Sequence, residues 1–173
     1  MTERISIGDE APNFDLSSTE GALLMLRDET HRTSVLLYFF DDPSAEVARR
    51  DLAELAGRTK TLAAAAVKVF GVSPSKMPPL QSLQADLGLP FPLLRDDRGF
   101  SEAYGVAPST EEQSSSPALY FVDRLQKVVW MANPAGSVTD ALAQIAAMLK
   151  KQDSPTSNYP KSVINRLVDL WVN

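Results

Sequence analysis

Four short stretches of the chain are apolar at nearly every position: SVLLYFF (34 to 40), VKVFGV (67 to 72), PALYFV (117 to 122) and KVVWM (127 to 131). They are rich in β-branched and aromatic residues and are bounded by polar or turn residues, so the pattern predicts strands. The first three are apolar enough to be central, with both faces covered. Between them apolar residues recur at helical spacing. Ala45, Ala48, Leu52 and Leu55 predict a first helix, with Asp42 as its N-cap and Pro43 at the first helical position. A second is predicted over Pro79 to Leu87, ended by Gly88. A third is predicted over Val138 to Lys150, where Val138, Leu142, Ile145 and Leu149 share a face. Ser137 and Asp140 form its capping-box-like start, and Lys150 and Lys151 sit at its negative end. Strands alternating with helices imply an α/β fold with a central mixed β-sheet flanked by helices.

The pattern changes after residue 151. QDSPTSNYP (152 to 160) is polar with two prolines and reads as a linker, which leaves residues 1 to 151 as one domain and 161 to 173 as a separate amphipathic helix. In that helix Val163, Ile164, Leu167, Val168 and Trp171 gather on one face. Such a helix packs back on its own domain or a twin subunit, or docks a different protein. Membrane-surface binding is the weakest of these readings, because Lys161 and Arg166 are its only basic residues.

Composition narrows the chemistry. The 173 residues, 44% of them apolar, suffice to bury a core without staples, and there is no cysteine. Disulfides, thiolate nucleophiles and thiolate metal sites are therefore excluded. A net charge of −5, from 17 basic and 22 acidic residues spread along the chain, offers no basic stripe for nucleic acid. No run reaches the length of a membrane span, and MTERISIGDE has no apolar leader core, so the expected location is cytoplasmic. His31 is the sole histidine, in a polar stretch, and is expected to be a surface residue with no metal or triad role. Met25, Met77, Met131 and Met148 are expected to fill core space. No cofactor is expected.

Taken in order, IGDEAPNFDL (7 to 16), LLYFF (36 to 40), VFGVSPS (69 to 75), LGLPFPLLRDD (87 to 97), AYGV (103 to 106) and ALYFVD (118 to 123) resemble a peroxiredoxin of the alkyl hydroperoxide reductase/thiol-specific antioxidant family, and within it the bacterioferritin-comigratory or Q-type branch. The resemblance covers roughly residues 5 to 150. It implies a thioredoxin-like fold whose catalytic helix begins directly after the strand ending at Phe40, and a homodimer through peroxiredoxin-type surfaces. In the family, a Pro, a Thr or Ser four residues on and a peroxidatic Cys three further form the site, completed by an Arg from near a later strand. The helix N-terminus and the Arg favour the thiolate that attacks the peroxide oxygen.

Carried over without gaps, the family's Pro falls on Asp41, its Thr on Ala45, its Cys on Ala48, its resolving Cys on Ala53 and its Arg near Pro117. A gapped alternative places Pro43 before the Cys and the Cys itself on Ala45. Either way an alanine stands where the nucleophile belongs. A lone Cys to Ala difference would suit a deliberately inactivated variant, whereas loss of Pro, Thr, Cys and Arg together suits a natural cysteine-free relative. The first reading is a non-catalytic domain whose site has become a packing or binding surface, more apolar and better packed than its ancestor. The second is a thiol peroxidase by family whose cysteine is missing from this chain. The third is a small-molecule binder with Asp41, Asp42 and Arg49 as polar anchors. Trp171 is a candidate anchor for a protein partner. Asp41 and Asp42 as an acid/base pair is a weaker reading than cap and loop roles. Ser116–Pro117, where thioredoxin-like folds often carry a cis proline, is a candidate cis bond.

Overall fold

The computed structural model describes residues 5–106 and 116–151, so the linker and helix expected over 152 to 173, Trp171 included, lie outside the described residues. Seven strands form one mixed sheet: β1 (Asp15–Ser18), β2 (Leu23–Met25), β3 (Ser34–Phe39), β4 (Val67–Ser73), β5 (Leu93–Arg95), β6 (Ala118–Val122) and β7 (Val128–Ala132). Their spatial order is β2-β1-β5-β4-β3-β6-β7. The three central strands β5, β4 and β3 are parallel, and β6 runs antiparallel to β3 from Val35↔Val122 to Phe39↔Ala118. All four strands expected from apolar runs are present. Every residue of β3 and β6 is buried, as expected for strands covered on both faces.

Alternating side chains divide the interior into two layers. Leu36, Tyr38, Val69, Leu93, Leu119 and Phe121 face one side, under α2 (Glu46–Gly57), α3 (Thr59–Ala64), α4 (Met77–Leu87) and α6 (Val138–Lys151). Leu37, Phe39, Val72, Tyr120 and Val122 face the other, closed by Phe14, Leu16 and Tyr104 and by Leu26 of α1 (Leu26–Thr30). There Phe39, Tyr104 and Tyr120 pack ring against ring at 5.0 to 5.6 Å. The Tyr104 hydroxyl donates to the Pro12 carbonyl, and that of Tyr120 to the Tyr104 carbonyl. A four-residue helix, α5 (Phe100–Ala103), precedes Tyr104, its first amides held by the buried Asp96 carboxylate at 2.9 and 2.8 Å.

Helix boundaries differ from expectation in instructive ways. Asp42 does not cap α2. Its carboxylate accepts instead from the Ser44 amide at 2.8 Å and the Ser44 hydroxyl at 2.7 Å, a local turn that competes with helix initiation. Pro43 belongs to this turn rather than to the first helical position, and α2 starts at Glu46 with Ala45 as an N-cap that supplies no side-chain bond. Helix α4 starts two residues earlier than Pro79, at Met77, because prolines are tolerated in a first turn whose amides have no intrahelical partners. It ends as expected at Gly88, in the left-handed conformation. Helix α6 keeps its expected cap, Ser137 Oγ accepting from the Asp140 amide at 3.3 Å, and Val138, Leu142 and Ile145 are buried. The cis proline bond is Asn133–Pro134, not Ser116–Pro117.

One buried polar pair ties α2 to the sheet. Asp51 lies 1% exposed on the apolar face of α2, and its Oδ2 accepts a 2.7 Å hydrogen bond from the Tyr38 hydroxyl of β3. Burial, and then the adjacent carboxylate, hold the Tyr38 phenol above its ordinary range. Removing the acceptor leaves a buried hydroxyl without its partner, so Asp51→Ala is expected to lower stability by about 2–3 kcal/mol. Urea denaturation checks this, and a loss under about 0.5 kcal/mol would show that water replaces the carboxylate at no cost.

Candidate functional site

Strand β3 delivers the chain to Phe40 at the carboxyl end of the parallel strands, where the Phe40 amide still donates to the Val72 carbonyl at 3.0 Å. The next residue is held from the neighbouring strand, because Ser73 Oγ donates to the Asp41 carbonyl at 2.9 Å. The Asp42 to Ser44 turn then sets the start of α2, and the loop before β6 brings Ser116 and Pro117 alongside. Together Phe40, Asp41, Asp42, Ala45, Val47, Ala48, Ser116 and Pro117 line a pocket of about 230 Å³. Asp41, Ala45, Ala48 and Pro117, separated by up to 76 positions in sequence, thus meet around one cavity. Ala53 does not join them: it is exposed on another face of α2.

The chemistry of this pocket is thin. Its lining holds two carboxylates, one hydroxyl and no cation, histidine or sulfur. Ala48 is 2% exposed and Val47, at the mouth, 44% exposed. Among the described residues no arginine lines the cavity, and Pro117 stands where the family resemblance expects one. Ala48 is packed into the core while Ala45 is half-buried, and the cavity of about 230 Å³ lies above them.

Arg49 is directed elsewhere. It lines a second cleft of about 340 Å³ between α2 and α4, with Ser44, Ser75, Ser82 and Asp86 among its walls, and lies 3.7 Å from Asp86. Asp42 borders both cavities and Asp41 only the first, so Asp41, Asp42 and Arg49 do not converge on a single ligand. Arg50 reaches the buried Asp51 at 3.5 Å instead of facing either cleft. His31 is exposed at the end of α1. Among the described residues no group of acidic, histidine or cysteine side chains could hold a metal ion. Of the methionines, Met131 and Met148 pack on the core as expected, while Met25 is 38% exposed.

Residues 7–131 match the AhpC/TSA family. The chain belongs to that family. A Coxiella burnetii protein that bears the name peroxiredoxin bcp is 33% identical over 103 residues, 59% of this chain and 68% of the relative. The crystal structure of peroxidoxin BcpB from Mycobacterium tuberculosis superposes with a TM-score of 0.77 at 18% identity, covering 87% of this chain and all of that one. Peroxiredoxin Q of Xanthomonas campestris does so at 0.71 and 20% identity, over 82% of this chain and 92% of its own. The thioredoxin-like fold and the bacterioferritin-comigratory resemblance are thereby established, for an AhpC/TSA chain that contains no cysteine.

Two features of this AhpC/TSA site went unread in the sequence. Asp51, in register with the apolar face of Ala48, Leu52 and Leu55, was a visible signal of a buried partner. Nothing in the sequence marked the wall formed by Ser75, Ser82 and Asp86, which depends on how α4 lies beside α2.

The site generates two predictions. In Ala48→Cys the new thiol would sit in the first turn of α2, where the open amides favour a thiolate, but burial and the carboxylates of Asp41 and Asp42 oppose it. Its pKa is expected at or above the ordinary value of about 8.5. Ultraviolet thiolate titration measures it, and a pKa well below that value would mean the helix terminus outweighs both acids. The Ser44 hydroxyl, then the Ser44 amide, hold the Asp42 carboxyl below its usual range. The turn's contribution to stability is accordingly present above the unfolded value of about 3.9 and lost as pH falls through the lowered folded value. Ser44→Ala should move the Asp42 titration upward, as read by carboxyl-carbon NMR.

Proposed function

We propose that this AhpC/TSA chain does not reduce peroxides and acts as a protein-interaction or regulatory module built on the peroxiredoxin fold. One observation carries the reading: the pocket at the start of α2 presents Ala45, Ala48 and Pro117 where the family resemblance expects Thr, Cys and Arg. Peroxide reduction by this family requires a thiolate that attacks the peroxide oxygen, breaking the O–O bond: the sulfur is oxidised to a sulfenic acid and the other oxygen leaves, protonated, as water or alcohol. The chain has no thiol, and no methionine lines the pocket to offer another sulfur.

What remains suits binding better than turnover. The cavity is mostly apolar, Val47 stands exposed at its mouth, and such a surface gains by excluding water against a partner. The partners proposed are a second copy of the chain, through peroxiredoxin-type surfaces, and another protein at the pocket. A cytoplasmic location belongs to the same proposal; among the described residues no helix is long and apolar enough to cross a membrane. The competing reading, a thiol peroxidase by descent, is favoured by the open pocket and opposed by the lack of an arginine in its lining.

The deciding assay is consumption of hydrogen peroxide and an organic hydroperoxide by untagged protein of verified mass, with thioredoxin or dithiothreitol as donor. The expected outcome is no consumption above a protein-free control. Turnover would overturn the proposal.

A further inference from the structure

A groove that shares no residue with the α2 pocket lies at the opposite pole of the sheet. About 280 Å³ in volume, it opens where the sheet is incomplete: β5 pairs with β4 only from Gly71 to Ser73, so the first half of β4 has no strand on that side. The reason is legible in PFP at 90 to 92. Proline has no amide hydrogen, so neither Pro90 nor Pro92 can donate to the β4 edge. Val67, Val69 and Phe91 form an apolar floor, and Ala63 of α3 forms a wall. Two acids stand at the rim. Glu29 is matched by Lys68 at 2.7 Å, whereas among the described residues Glu20 has only the neutral Gln84 amide, at 3.2 Å.

We infer that residues 161 to 173 of the same chain dock in this groove, with Trp171 as the apolar anchor. Topology brings the segment to the correct pole. Strand β7 is antiparallel to β6, which is antiparallel to β3, so β7 ends level with Tyr38 near the emptied site, and α6 starts there. The 14 residues of α6 rise about 21 Å, enough to cross the sheet and end at the pole where β3 and β4 begin. From β6 to the open flank of β4 is three strand spacings, about 15 Å. The nine residues 152 to 160 span up to about 30 Å, whereas the emptied site lies back across the full height of the sheet. The chemistry agrees as well. KSVINRLVDLWVN carries apolar side chains for the floor, and Lys161 and Arg166 as cations for a rim where Glu20 lacks one.

The test uses the full chain carrying Trp130→Phe, which leaves Trp171 as the only indole. Docking predicts blue-shifted emission and acrylamide quenching several-fold weaker than that of free indole, independent of protein concentration. Adding Ala63→Arg, an exposed helix position in the groove wall, should raise quenching to the free level. Val47→Arg at the other pole should change nothing. Exposed Trp171 at the outset, release by Val47→Arg instead, or protection that fades on dilution would each overturn the inference, the last by placing the segment on a second copy. If Trp130→Phe fails to fold, nitroxides at Lys60→Cys and Asn173→Cys, the only thiols in an otherwise cysteine-free chain, read the distance directly. A short, narrow distribution supports docking and a broad one overturns it. Neither result bears on peroxidase activity, so this inference and the proposed function fail separately.

Discussion

The hydrogen bond from Tyr38 to Asp51 is the constraint on which the arrangement of this molecule depends. A carboxylate on the inner face of a helix is costly unless satisfied, and here one phenol of the central strand satisfies it at 2.7 Å. The bond fixes both the rotation and the height of α2 over β3. Three residues upstream of Asp51 is Ala48, itself in the first turn of the helix, which starts two residues earlier at Glu46. The place where the chain leaves the sheet, and with it the pocket, is thereby coupled to a buried polar contact in the core.

Close approach on the same face enforces the arrangement. A side chain on Gly71 would meet the Leu93 methyl at 2.5 Å and the Phe40 ring at 3.1 Å, so a larger residue there would require Leu93 to move and Phe40 to give way. Phe40 in turn stacks on Tyr38 at 5.8 Å and forms part of the pocket wall. The scaffold around the site is therefore rigid for reasons of packing. Ala45, Ala48 and Pro117 line the pocket within that scaffold.

Much of this was legible in the chain. Continuous apolar runs such as LLYFF mean a strand buried on both faces, and a period of 3.6 ending in glycine means a helix with a left-handed stop; both held. What was misread were choices between two local bonds of similar strength. Asp42 could cap a helix or close a turn with Ser44, and the turn prevailed because Pro43 and Ser44 were already placed to make it. The short strands β1, β2 and β5 carry too few residues to show a period, and they exist because neighbouring strands supply their partners.

By itself the sequence determined the fold class, the central strands, and the lack of any thiol at the position where the family resemblance demands one, because these follow from side-chain type and periodicity within short windows. Tertiary structure alone decided that Asp41, Ala45, Ala48 and Pro117 share one cavity and that Arg49 faces another. It also decided that a cavity lies at the start of α2 and that the sheet leaves a gap beside β4. Those outcomes depend on distances between segments far apart in the chain, set by how helices and strands pack, and no local pattern encodes them.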